Sequence, residues 1–191
     1  MRSATFLLSL ALITDAQSAP KITHKVFFDI EIAGEKSERV VFGLFGETFP
    51  NTTEIFRTLC TGEKRADQPK KPMHYKGSVF YEVIPRFFLQ GGNITNENET
   101  EDGSIFGLTP EVDISMVNHT GPGLLSMGKA PKFLVTTWKT EWLNGINIVF
   151  GKVMENYNFI EKIETFGSFT GGPTKKITII DSGELPINEE L

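Results

Sequence analysis

The 191-residue chain has a single cysteine, Cys60. One thiol closes no intrachain disulfide, so stability must come from buried apolar surface. Basic residues are in deficit, with 19 Lys and Arg against 24 Asp and Glu, for a net charge of −5. Nucleic-acid binding draws on clustered Lys and Arg, so no nucleic-acid partner is expected. Tyr and Trp are scarce, three and two, beside 16 Phe, which predicts a phenylalanine-rich core. No apolar stretch approaches the ~18 residues of a membrane-spanning helix, so no span is expected. The three histidines, His24, His74 and His119, are scattered without ligand spacing and are expected at the surface. With no metal-ligand set and no Gly-rich phosphate loop, neither a metal nor another cofactor is expected. There is no internal repeat. The remaining composition suits one domain with its own core, expected to be monomeric.

Met1 and Arg2 form a short basic start, and residues 4–13 are an apolar run of ten. Small residues follow at Ala16 and Ser18. The run is too short for a bilayer and suits a signal-peptide core, so residues 1–18 are expected to be a cleaved leader. Four N-x-[ST] sequons, at Asn51, Asn93, Asn98 and Asn118, fit lumenal residence and are candidate glycosylation sites. The acidic tail 186–191 ends Asn188-Glu189-Glu190-Leu191, similar to the K-D-E-L type of retention signal. The expected location is therefore the endoplasmic reticulum lumen or, failing retention, the exterior.

Between leader and tail the pattern is β-rich. Residues 25–32 alternate, with Val26, Phe28, Ile30 and Ile32 on one face. A turn at Gly34 leads to a return strand over 39–45. Asn51-Thr52-Thr53-Glu54 reads as a helix start, with Asn51 as cap and Glu54 reaching back. Ile55, Phe56 and Leu59 continue as an apolar stripe, Cys60 falls on the same core face, and Gly62 stops the helix. Further strands are predicted over 79–83, 87–90, 123–127, 133–137, 148–153 and 176–181, with a second helix over 158–166. Eight short strands tend to close into a barrel, because closure removes exposed edges.

These segments, in order, resemble the cyclophilins. Val26-Phe27-Phe28-Asp29-Ile30 is similar to that family's first strand, and Pro50-Asn51-Thr52-Thr53-Glu54-Ile55-Phe56 to its first helix. Thr61-Gly62-Glu63-Lys64, Tyr75-Lys76-Gly77-Ser78-Val79-Phe80 and Gln90-Gly91-Gly92 follow. So do Gly121-Pro122-Gly123-Leu124-Leu125-Ser126-Met127, Lys139-Thr140-Glu141-Trp142-Leu143 and Val149-Phe150-Gly151-Lys152-Val153. The resemblance runs over 21–185 and is strongest to secretory-pathway members. It implies a closed eight-stranded antiparallel β-barrel capped by two α-helices. It also implies peptidyl-prolyl cis-trans isomerisation, with proline-containing segments of client proteins as partners.

That reaction rotates an X-Pro peptide bond against an amide-resonance barrier of ~18–20 kcal/mol. A catalyst grips the proline ring in an apolar pocket and donates a hydrogen bond toward the prolyl nitrogen, a task suited to arginine. The family motif F-H-R-I-I-P-x-F-M-x-Q-G-G-D here reads Phe80-Tyr81-Glu82-Val83-Ile84-Pro85-Arg86-Phe87-Phe88-Leu89-Gln90-Gly91-Gly92-Asn93. The resemblance thus places Glu82 at the arginine position, and an ionised carboxylate donates nothing. Phe87, Phe88, Gln90, Trp142 and Leu143 fall at pocket positions. Lys132, Leu134 and Asn147 stand where the family has glutamine, phenylalanine and histidine, and the loop before Phe133 is about six residues short of the family pattern. Arg86, Lys129 and Lys132 are the candidate cations for pairing with Glu82, although surface exposure is the plainer reading of Arg86. Three functions remain open: a binding module with isomerase activity weak or lost, a working isomerase that assists folding, or an interaction protein using the loops 63–74 and 93–103.

Overall fold

The computed structural model describes residues 19–63, 73–94, 108–111 and 116–187. The proposed leader, Asn98, most of the two loops named above and the final tetrapeptide lie outside them.

Strand β1 (His24–Ile32) buries Val26, Phe28, Ile30 and Ile32, the face its alternation predicts. The chain turns through Ala33 and Gly34, at φ 52° and 82°, into β2 (Glu38–Leu44), which pairs back on β1. Then follow α1 (Pro50–Thr61), β3 (Glu82–Ile84), β4 (Phe88–Gly91), β5 (Leu124–Met127) and β6 (Phe133–Thr136). After a 3₁₀ turn at Glu141–Leu143 come β7 (Ile148–Glu155), α2 (Tyr157–Glu164) and β8 (Ile177–Leu185). The strands form one eight-stranded antiparallel sheet in the order β3-β4-β6-β5-β7-β2-β1-β8. Its ends are tied by the segment leading into β3. Gly77 and Phe80 donate N–H bonds to Ile179 and Ile177 of β8, at 2.7 and 3.0 Å. This is the eight-stranded barrel architecture expected above. The strand expected over 79–83 is shorter than its apolar pattern. Val79 makes an isolated bridge to Thr178, and by Tyr81 the chain has switched partners to Gln90 of β4.

Phe28, Phe42, Phe56, Tyr75, Phe80, Phe133 and Phe150 fill the interior, with ring centroids 5.1–5.8 Å apart in tilted or edge-on pairs. Helix α1 lies over β8 and β1 and buries Ile55, Phe56, Leu59 and Cys60 completely. Burial pushes the Cys60 thiol pKa up, which keeps it protonated. Gly62, at φ 64°, ends α1 in the left-handed conformation with its N–H on Thr58 O. Helix α2 buries Phe159, Ile160 and Ile163.

The start of α1 corrects one expectation. Asn51 is not the cap: Phe49 is, and Pro50, with its φ fixed and no N–H to satisfy, opens the helix. The free donors of the first turn go to Glu111, distant in sequence. Its carboxylate accepts from Asn51 N at 2.5 Å, Thr52 N at 3.0 Å and the Thr52 hydroxyl. Glu54 does not reach back; it accepts from Arg57 at 2.9 Å. Because Glu111 supplies both acceptors and a negative charge at the helix start, Glu111→Ala is expected to cost about 1–2 kcal/mol. A calorimetric midpoint lowered by less than about 2 °C would contradict this role.

Candidate functional site

On β3, β4 and β6 the side chains sort by register. Val83, Leu89 and Val135 are paired across the three strands and are fully buried in the barrel. Glu82, Gln90 and Leu134 are paired one step along, and so occupy the outer face as a row. Ile84 and Phe88 pair two residues further on, on that same face. The outer face thus gathers Glu82, Gln90, Phe88 and Leu134, predicted from sequence as one site.

Phe88, Leu134 and Leu143 form a small cluster of their own, with Ile84 and Phe87 packed on it. Only 8, 5 and 6% of Phe88, Leu134 and Leu143 is exposed, so these three cover one another and leave little wall for a guest ring. The open apolar surface lies beside them. Phe87 is half-buried and its ring sits 4.1 Å from Phe88 and 4.4 Å from Trp142. Trp142 and Ile146 are 58 and 62% exposed. The arrangement is a shelf of exposed aromatic and aliphatic surface next to a closed cluster. The Phe87 backbone is fixed by reciprocal bonds with Thr137: Phe87 N donates to the hydroxyl at 3.1 Å, and Thr137 N to Phe87 O at 3.0 Å.

Asn147 is 9% exposed and its side chain fills the space over Gly128, where a Cβ would lie 2.7 Å from the amide oxygen. The short β5–β6 loop is closed by Lys132 N donating to Lys129 O at 3.1 Å. It is moored to the core by the Tyr75 hydroxyl, which donates to Pro131 O at 2.7 Å.

Glu82 is half-buried and makes no ion pair or side-chain hydrogen bond with the described residues. None of the three cations considered for it is its partner. Arg86 holds its guanidinium 4.4 Å over the Trp138 ring, and its backbone, at φ 58°, turns its N–H to Glu164 at 2.6 Å. Lys129 and Lys132 are exposed and unpaired with it. The Tyr81 phenol next to Glu82 is pushed up to about 12, first by burial and then by the Glu82 charge. The row can therefore accept hydrogen bonds and attract cations at Glu82, while Gln90 is its amide donor.

One neighbour of Glu82 escaped the sequence reading. The turn 168–171 is clasped to β3: Val83 N donates to Gly171 O at 2.7 Å, and Ser168 N to Val83 O at 3.0 Å. Gly171, at φ 97°, comes so close that a Cβ there would lie 3.2 Å from Glu82 Oε1. The Gly171-Gly172 doublet was the available signal.

Histidine placement also differs from expectation. His119 is fully buried rather than at the surface. Its Nδ1 lies 2.9 Å from Asn144 Oδ1 and its Nε2 2.8 Å from Ser126 Oγ, joining β5 to the turn that carries Trp142 and Leu143. Burial lowers its pKa. His74 is half-buried, 3.0 Å from Cys60 O. Of the sequons, Asn51, Asn93 and Asn118 are exposed, and the Asn51 amide donates to Thr109 O at 3.2 Å. Among the described residues no helix is long and apolar enough to cross a membrane.

The barrel order and the two helices agree with one comparison to known families. The model for the cyclophilin type peptidyl-prolyl cis-trans isomerase/CLD family matches residues 27–184, which takes in every strand of the barrel but the ends of β1 and β8, and the chain belongs to that family.

Proposed function

We propose that this chain is a secretory-pathway cyclophilin that holds proline-containing segments of client proteins and isomerises them weakly or not at all. The observation that carries this reading is the carboxylate of Glu82 in the outer row, where the motif resemblance puts an arginine. Rotation of the prolyl bond needs a donor toward the prolyl nitrogen, and Glu82 can only accept. Two features support binding without turnover. The Phe87–Trp142 shelf offers apolar surface to an extended segment. The closed Phe88–Leu134–Leu143 cluster offers little depth for gripping the ring.

The test is anisotropy of a labelled proline-containing peptide titrated with the protein. Saturable binding is expected, weakened about tenfold in Trp142→Ala by loss of the shelf. An unchanged signal at every protein concentration would end the binding reading.

The secretory assignment rests on the leader-like start, the sequons and the C-terminal tetrapeptide. Exposure of Asn51, Asn93 and Asn118 is compatible with glycosylation. Expression in a secreting cell should give an endoglycosidase-sensitive product. It should be retained when full-length and released when residues 188–191 are removed. A cytosolic, unglycosylated product would remove the assignment. A working isomerase is the second reading, favoured by Phe87, Gln90, Trp142 and Leu143 at the positions that the motif resemblance assigns to the pocket.

A further inference from the structure

The groove has a charged end that the proline-binding reading leaves without a role. Glu82 stands at the head of the outer row with no ionic partner among the described residues. Of the described cations, three are engaged elsewhere, and Lys129 and Lys132 are exposed without pairing to it. Arg86 lies over Trp138, Lys162 pairs with Glu38 at 3.5 Å, and Lys175 pairs with Glu35 at 3.2 Å. A half-buried carboxylate at the edge of an apolar shelf favours a cation brought by whatever binds there.

The turn beside it adds a second observation. Residues 168–171 are closed by Gly171 N donating to Ser168 O at 3.1 Å, and both ends of the turn bond to Val83, the residue after Glu82. Phe169, in the middle of that turn, is 88% exposed, the most exposed of the large hydrophobic residues described. The ring is open to solvent and accessible to a bound segment. Carboxylate and aromatic ring together suit an ammonium or guanidinium, which donates a charge-assisted hydrogen bond to one and is attracted face-on by the other. On the opposite flank Gln90 pairs with Glu82 across the strands, and its amide can bond a peptide backbone.

We infer that Glu82, with Phe169 on the turn clasped to Val83, makes this groove select peptide segments that carry a lysine or arginine close to the residue laid on Phe87 and Trp142. The inference builds on the peptide-binding reading above. It turns the acid at the arginine position from a loss into a specificity determinant. The partner is an extended, basic, proline-containing segment of a client protein, which the acidic balance of the chain also favours.

The experiment uses the full chain and labelled peptides built on one Ala-Pro core. A lysine is moved through each position from three before the proline to two after it, with alanine and glutamate at the same positions as controls. At the best position, in low salt, lysine should bind about five- to tenfold tighter than alanine, and glutamate weaker than both. Raising salt to about 0.2 M should shrink the preference, because part of it is ionic. Glu82→Gln should bring the lysine-to-alanine ratio to near one, and Phe169→Ala should narrow it. The inference is overturned if lysine gives no advantage at any position, or if the advantage survives in Glu82→Gln. Equal binding of all peptides, weakened throughout by Trp142→Ala, would sink this inference and leave the peptide-binding reading standing. No binding of any peptide would remove both.

Discussion

Turnover of a short X-Pro peptide by the wild-type chain is expected to fall at least ~10²-fold below that of a cyclophilin with arginine in the outer row, the typical worth of one preorganised donor. The uncatalysed barrier is ~18–20 kcal/mol and stems from conjugation between the prolyl nitrogen and the preceding carbonyl. A donor aimed at that nitrogen stabilises it as it loses conjugation. Glu82 presents acceptor atoms instead, and its charge opposes the carbonyl oxygen of the bound residue. No described cation is placed to compensate, since Arg86 is over Trp138 and the two loop lysines are exposed.

Two variants separate the causes. Glu82→Ala removes the charge and adds no donor, so it should change kcat/KM by no more than a few-fold. Glu82→Arg adds the donor and should raise kcat/KM about tenfold over Glu82→Ala, short of the full ~10²–10³ that one donor can contribute. The shortfall is expected because Phe88, Leu134 and Leu143 cover one another and hold a proline ring shallowly. A protease-coupled assay or exchange NMR on the same peptide reads all three proteins. Wild-type turnover equal to that of an arginine-bearing cyclophilin would refute the impaired-site reading. Equal rates in Glu82→Arg and Glu82→Ala would show that the closed cluster, rather than the missing donor, sets the limit.

How far the sequence revealed this molecule depended on the range of each interaction. The β1 face was legible because alternation is local: Val26, Phe28, Ile30 and Ile32 are buried as their spacing predicts. So were the α1 stripe and its glycine stop. The site row was legible through the family motif, since one strand pairing brings Glu82 opposite Gln90. Contacts made by distant segments were not legible. The cap of α1 comes from Glu111, 60 positions after Asn51, and no local pattern announces it. His119 looked like an isolated polar residue until Asn144 and Ser126 met its two nitrogens. The Phe169 turn reaches Glu82 through backbone bonds to Val83, which leave no side-chain signature. The closure of the Phe88–Leu134–Leu143 cluster depends on three rings and branches meeting in space, and residue identity alone could not give it.

Phe133→Ala is expected to cost about 3–5 kcal/mol of folding stability, the range for emptying a large aromatic from a packed core. The ring is fully buried and lies 5.1–5.7 Å from those of Phe28, Phe56, Tyr75 and Phe80. Few neighbours can collapse into the gap, because Gly91 and Gly92 already lie against the ring. A Cβ at Gly91 would be 2.7 Å from its Cζ, and one at Gly92 would be 3.0 Å from its Cδ1 and 2.3 Å from Pro131 O. The ring thus gives the Gln90-Gly91-Gly92 motif a physical reason: two backbone residues must be bare for the aromatic core to reach the strand. Urea denaturation should show a large fall in midpoint with the slope preserved. A loss below about 1.5 kcal/mol would mean that the surroundings relax into the cavity, against the rigid packing inferred here. Leu134→Ala is the internal comparison. Leu134 is adjacent in sequence and nearly as buried, but it faces outward into the small cluster. It should cost about 2 kcal/mol, at the low end for leucine truncation, and should open the closed cluster to a guest ring. Stability should therefore respond most to Phe133, while peptide binding and turnover respond most to Leu134. Neighbouring residues on opposite faces of β6 would then report separately on barrel and groove.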